Sequence, residues 1–282
     1  MLVLSKPKQE AKPMTTTDFI TELFVRVDDA LVGIRKHSQA RLYPSEIVTL
    51  GLLFALKGGS ERAFYRWVHR DLLPMFPNLP ERTRLFELFA THQEWTRRFL
   101  AEPTVLGVAD SYGIELIHPR RERRTSKQIG RKGLSNKRWI VGGKLGYVLN
   151  QWGRIVDWDA ACANAHDQVF HPLIQQFVNT DGPQITVDMI VLTDPGFHAK
   201  AGDPINMKVC PHGTWNVRMV VESVLSMLTN VCHFKKARHR VWEFFRARLA
   251  FVMAAYNICV GWHGFRPDDK GFIPLHIAEF SL

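Results

Sequence analysis

Thr104-Val105-Leu106-Gly107-Val108-Ala109-Asp110 and Met189-Ile190-Val191-Leu192-Thr193-Asp194 are two short apolar runs, each ending on an aspartate. Runs of this length, rich in Val, Ile and Leu and closed by a polar residue, read as buried strands. A third carboxylate, Glu222, lies within Arg218-Met219-Val220-Val221-Glu222-Ser223-Val224-Leu225-Ser226-Met227-Leu228, which has helical spacing and puts Arg218 and Glu222 on one face. Taken singly, an aspartate after an apolar strand is most often a turn or cap residue. Taken together, Asp110, Asp194 and Glu222 make a set of hard oxygen donors suited to magnesium or manganese, and a pair of such ions serves phosphoryl displacement.

Between the two strands the pattern predicts further elements. Arg138 to Leu149 and Arg154 to Ala160, joined through Asn150-Gln151-Trp152-Gly153, read as an antiparallel hairpin, and His166 to Phe177 as a helix. The expected fold class is therefore α/β: a mixed sheet flanked by helices, with an all-helical region before it. That region begins after a capping cluster, Thr15-Thr16-Thr17-Asp18, and carries Phe19, Leu23, Val27 and Leu31 at helical spacing. Pro44-Ser45-Glu46 opens a second helix that runs through Leu56, Gly58-Gly59-Ser60 ends it, and Glu61 to Leu73 forms a third, basic one. Helix, glycine turn and basic helix permit a helix-turn-helix that reads DNA, and any small bundle produces the same pattern. A further helix is expected from Glu81 to Phe99. The resulting division is a basic arm at 1–14, a helical region at 15–102 that permits DNA binding, a domain bearing the three carboxylates at 103–265 and a tail at 266–282.

Composition narrows the class of partner. The 282 residues are 46% hydrophobic, enough for a sizeable core, and 37 Lys and Arg against 27 Asp and Glu give a formal charge of +10. That excess favours a polyanion. Its densest stretch, 120–132, holds Arg120, Arg121, Arg123, Arg124, Lys127, Arg131 and Lys132 against Glu122 alone, and reads as a loop that contacts a phosphate backbone. The four cysteines form no Cys-x-x-Cys pair, so reduced thiols are expected; Cys210-Pro211-His212 with Cys232-His233 lacks the ligand spacing of a structural zinc site. Met1 to Lys12 lacks the apolar stretch of a secretory signal, and the apolar run from Leu249 to Trp262, broken by Asn257, suits a buried helix better than a membrane span.

The element order and the carboxylate positions resemble the ribonuclease-H-like catalytic core of bacterial insertion-sequence DDE transposases, over roughly residues 104 to 262. The strings that carry the likeness are Val108-Ala109-Asp110-Ser111, Gly133-Leu134-Ser135-Asn136-Lys137-Arg138-Trp139-Ile140-Val141-Gly142-Gly143-Lys144, Ala163-Asn164-Ala165-His166-Asp167, Leu192-Thr193-Asp194-Pro195-Gly196-Phe197 and Trp215-Asn216-Val217-Arg218-Met219-Val220-Val221-Glu222. In such transposases an aromatic residue, an Arg and the catalytic Glu stand in the order that Trp215, Arg218 and Glu222 fill here. The resemblance implies that Asp110 bridges two Mg²⁺ ions, with Mn²⁺ able to substitute, and that Asp194 and Glu222 each hold one. It further implies that Arg218 pairs a phosphate or the carboxylate, that Trp215 stacks an unpaired base, and that Arg138 and Lys144 join the loop cations on DNA.

The implied partners are double-stranded DNA, as inverted repeats and target, and a second copy of the chain on paired ends, in the bacterial cytoplasm at the nucleoid and without a membrane. One departure is Thr229, where the pattern has a basic residue seven after the Glu; Lys235 and Lys236 come later. Two alternatives share these features: a copy that binds DNA without cutting it, and a related nuclease without the joining step. Asp157, Asp159, Asp167, Asp188 and Asp203 compete for the ligand roles, and His198 is a further polar neighbour of Asp194.

Overall fold

A computed structural model describes residues 15–124, 128–135, 137–180, 186–211, 218–236, 239–262, 275 and 277–282. Among the described residues the helices are α1 (Thr16–Ala30), α2 (Pro44–Lys57), α3 (Glu61–Asp71), α4 (Arg82–Thr91), α5 (His171–Gln175), α6 (Arg218–Asn230) and α7 (Trp242–Trp262). The strands are β1 (Leu106–Ile117), β2 (Arg131–Ser135), β3 (Arg138–Asn150), β4 (Ile155–Cys162), β5 (Val178–Asn179), β6 (Thr186–Val187), β7 (Ile190–Thr193) and β8 (Met207–Val209). The fold is mixed α/β.

Six strands form one sheet in the order β2-β3-β1-β7-β8, with β4 on the same edge of β3 as β2 but further along it. Pairing is antiparallel from β4 through β3 to β1 and parallel from β1 through β7 to β8. The β3–β4 turn is local chemistry: the Asn150 carboxamide oxygen accepts from the backbone N–H of Trp152 and Arg154 at 3.1 and 3.0 Å, and Gly153 takes φ +72°. β5 and β6 pair separately.

The helices form because caps and apolar faces agree. In α1 the Thr15 hydroxyl and Asp18 carboxylate cap each other's N–H groups, and Phe19, Ile20, Leu23 and Val27 bury one face. In α2 Pro44 occupies the first turn, Glu46 accepts from Tyr43 N–H at 2.6 Å, and nearly every following side chain is buried. Gly58 ends α2 at φ +66°, where a Cβ would sit 2.5 Å from the His233 ring, so both conformation and contact require glycine.

α7 is the shared spine. It packs on α2, α4, α6 and β4, and one apolar core runs from Phe19 and Leu23 through Phe54 and Phe251 to Tyr147 and Leu149 of the sheet. Each large apolar side chain buried there contributes roughly 1.5–3 kcal/mol. Asn257, in mid-helix, donates to Phe99 C=O at 3.0 Å and Ile155 C=O at 2.7 Å and accepts from Ile155 N–H at 2.9 Å, which ties the spine to the start of β4. By length and composition alone α7 reaches a membrane span, and 78% of its apolar window is buried within the protein.

Several expected elements differ. β1 extends to Ile117, because β3 offers a ladder from Asn150 back to Val141, so Asp110 lies inside the strand and not at its end. The expected helix at 81–99 stops at His92, whose ring stacks on Trp95 at 4.0 Å, and continues as a 3₁₀ helix from Gln93 to Phe99. The helix expected at 166–177 is a 3₁₀ turn, Asp167–Phe170, followed by the short α5, with Pro172 in its first turn. The loop expected at 120–132 ends in an edge strand, since Arg131 and Lys132 open β2, and the helix expected from Leu249 begins at Trp242.

Candidate active site

Asp110 is half-buried on β1, directly opposite Tyr147 of β3, which is opposite Trp158 of β4, so the three side chains share one face of the sheet. That face carries the core packed against α6 and α7. The Tyr147 phenol is pushed well above its ordinary range, first by burial and then by the Asp110 carboxylate beside it, and stays neutral. On the other side of β1, the parallel ladder pairs Leu106 with Ile190, Gly107 with Val191 and Val108 with Leu192. The ladder ends at Val108 and Leu192, two residues before Asp110 and Asp194, and Asp194 lies just past β7 as the cap of the next turn. Neighbouring strands lie about 4.8 Å apart.

Each strand carboxylate has one oxygen oriented by backbone. Asp110 Oδ1 accepts from Ser111 N–H at 2.7 Å, and Asp194 Oδ1 accepts from Gly196 N–H at 2.8 Å, as cap of the Pro195–Phe197 turn. A Cβ on Gly196 would lie 2.9 Å from Asp167 Oδ2 and 3.0 Å from Asp194 Oδ1, so these two carboxylates flank one backbone position. Asp167 in turn accepts from the Ser111 hydroxyl at 2.5 Å and from Lys144 Nζ at 2.9 Å, while Lys144 also donates to Ala165 C=O at 2.7 Å. The network links β1, β3 and the turn at Asp167 on the sheet face opposite that of Asp110, and it approaches the Asp194 turn at Gly196. Sequence reading placed Asp167 only at a helix start; the signal was its position one residue past His166 in a quoted string, with no indication of what it faces.

Glu222 is placed differently. It is exposed on α6, whose Val221, Val224 and Leu228 face the core, and it lines an open groove of about 510 Å³ with Met219, Ser223, Ser226, Met227 and Leu275. Val220 and Leu275 both approach Gly153, so the first turns of α6 lie over the β3–β4 turn, and β1 begins there with Gly107 opposite Asn150. Asp110 is three residues further along, about 10 Å. Among the described residues no three His, Cys, Asp or Glu side chains converge closely enough to hold a metal ion unaided.

The other expected contacts separate into two groups. Arg120, Arg121, Arg123, Arg124, Arg131, Lys132 and Arg138 are exposed near one end of the sheet, with Arg138 paired to Glu115 and Lys132 to Glu122 at 3.7 Å. Lys144 instead points inward, with its side chain 12% exposed and engaged by Asp167 and Ala165. Lys127, Trp215 and the Arg218 side chain lie outside the described residues, as do 1–14 and most of the tail.

Three further rival carboxylates, Asp157, Asp159 and Asp203, have structural partners. Asp157 is buried and accepts from Trp158 N–H, Gln176 and Arg97; Asp159 pairs with Arg246. Asp203 accepts from Ala199 N–H at 2.8 Å and from His198 at 2.7 Å, contacts that hold its carboxyl below the usual range and occupy His198 as well. Cys232 is fully buried, and burial pushes its thiol up to about 12, which disfavours the thiolate that a zinc ion needs. No family model matches this sequence, and comparison with curated proteins and with solved structures gives no match.

Proposed function

We propose that the chain is an insertion-sequence DNA transposase that binds terminal inverted repeats and performs metal-dependent strand cleavage and transfer at a ribonuclease-H-like DDE site. The observation that carries the reading is the parallel β1–β7 ladder, whose last pair, Val108 with Leu192, stands two residues before both Asp110 and Asp194. The strand order β4-β3-β1-β7-β8, antiparallel on one side of β1 and parallel on the other, supports the ribonuclease-H-like part. Exposed Arg62, Arg66 and Arg70 on α3, opposite buried Phe64 and Val68, support end-DNA binding by the α2–α3 pair.

The donor set fits a hard cation. Magnesium is commonly held by one or two carboxylates, with water and substrate phosphate completing its shell. Asp110 and Asp194 are the residues that would hold it, and bound Mg²⁺ would supply charge stabilisation for in-line displacement at phosphorus. The chain's own part is to orient both carboxylates through Ser111 and Gly196 N–H, to keep Tyr147 neutral beside Asp110, and to hold the Asp194 turn through His171 and Gln168, which bond Phe197 C=O and His198 C=O. Glu222 is the third carboxylate of this reading. A second copy of the chain would hold the other end, and the nucleoid is where the substrate lies.

One observation favours a second reading, DNA binding without cutting: Glu222 stands in its own groove. The test is cleavage of end-bearing duplex DNA with Mg²⁺. Asp110→Asn and Asp194→Asn are expected to lower cleavage about thousandfold or more while leaving duplex affinity within about twofold. Undiminished cleavage by both variants would sink the site assignment, and binding without any cleavage by the parent would establish the second reading.

A further inference from the structure

The tip of the β2–β3 hairpin carries a feature that the proposed active site does not use. Leu134 and Trp139 are directly paired across the two strands, so their side chains stand together on one face, and each is 56% exposed. Lys132, two residues before Leu134 on that face, places its ammonium 5.4 Å from the centre of the Trp139 ring. The hairpin is held beside that pair, where Gly133 lies so close to the residues after β4 that a Cβ would meet Ala163 C=O at 2.0 Å.

Charge at this tip and around its root has one dominant sign. Arg131, Lys132, Lys137 and Arg138 on the hairpin and Arg120, Arg121, Arg123 and Arg124 just after β1 are all exposed; the acidic neighbours are half-buried Glu115 and Glu122. An exposed apolar pair ringed by cations suits a polyanion that also presents stacked apolar surface, which is a description of duplex DNA. Trp139 also lies on the same strand face as Tyr147, eight residues away, and Tyr147 is opposite Asp110. Eight residues of strand span about 27 Å, the length of roughly eight base pairs.

We infer that the β2–β3 hairpin is a DNA-contacting finger, in which the cations engage phosphates and the Leu134–Trp139 pair enters the groove of the duplex about eight base pairs from the scissile phosphate. This rests on the transposase reading for the position of that phosphate, and on the hairpin alone for the contact. Leu134 and Trp139 support no core, so their replacement leaves the fold intact, which circular dichroism checks.

The experiment is fluorescence anisotropy with a labelled duplex several turns long, titrated over a series of NaCl concentrations without divalent metal. Trp139→Ala and Leu134→Ser are each expected to weaken binding roughly five- to tenfold with an unchanged salt slope, because an apolar contact releases no counterions. Lys132→Gln is expected to weaken binding and to lower the slope by about one. Parent-like affinity in both apolar variants overturns the inference. So does a dimer that becomes a monomer in both variants by size-exclusion chromatography while their affinity per bound subunit is unchanged, since the face then belongs to a second copy. Binding is read without cleavage, so failure here leaves the cleavage reading standing, and absence of cleavage leaves this measurement decisive.

Discussion

Asp110 and Asp194 are carried on backbone that the sheet holds in register, whereas Glu222 rides on a helix whose place depends on side-chain packing. For the strand pair, three ladder positions on β1 and β7 set the relative height, and a backbone N–H orients one oxygen of each carboxylate. For Glu222 the support is at the far end of its helix. Arg248 of α7, fully buried, donates to Phe54 C=O, to Ala55 C=O at 3.2 Å and to Cys232 C=O at 3.4 Å, and so ties the turn after α6 to the end of α2. The difference teaches that hydrogen-bonded ladders transmit position over one or two residues, while a helix-borne group inherits every adjustment of the packing beneath it.

The largest expected effect tests whether the two parts act as one site. Glu222→Ala is expected to lower Mg²⁺-dependent cleavage about thousandfold, and the Asp194→Ala, Glu222→Ala double variant to cleave no more slowly than either single one, as residues of one unit behave. A Glu222→Ala protein that keeps more than about a tenth of the parental rate breaks the comparison the other way and assigns the chemistry to the strand pair alone.

Removing the helix's tie comes next. Arg248→Ala removes a donor from three buried carbonyls, of which Phe54 C=O keeps the Gly58 N–H, and leaves a void beside Phe54; it is expected to cost about 3 kcal/mol, or roughly 6–12 °C in Tm. Burial lowers the Arg248 pKa to about 10, so the group is still a cation at neutral pH. Faster hydrogen exchange in α6 than in β1 and β7 is the sharper readout; equal acceleration in all three would contradict the division drawn here.

The smallest effect concerns the strand side. Asp167→Ala strands the inward-facing Lys144 ammonium and is expected to cost about 2 kcal/mol, with Lys144→Met added to it recovering part of that loss. Because Asp167 adjoins the Asp194 turn, the Mg²⁺ concentration for half-maximal cleavage should also rise in the double variant. A parental Mg²⁺ requirement there reduces Asp167 to a stability residue.

Much of this was legible in local pattern. The hairpin of β3 and β4 followed from two apolar runs around Asn150 and Gly153, and the all-round apolar α2 from Pro44, Glu46 and Gly58, because turn and cap chemistry acts within a few residues. The end of β1 was not legible, since Ser111 to Ile117 has weak alternation and becomes strand only against β3. Lys144 reads as one more cation in a basic chain until Asp167 is found 2.9 Å away across the sheet.

Sequence by itself determined the carriers: which carboxylates end apolar runs or sit on an apolar helix, where glycine and proline must turn the chain, and that the surface is basic. Tertiary structure alone decided their company. It ran the segments that bear Asp110 and Asp194, some eighty residues apart, side by side as the parallel pair β1 and β7, turned Lys144 inward, and exposed Leu134 with Trp139. The reason is physical: propensity and capping are set by neighbours along the chain, whereas pairing register and burial are settled by contacts between segments that meet only when the chain has folded.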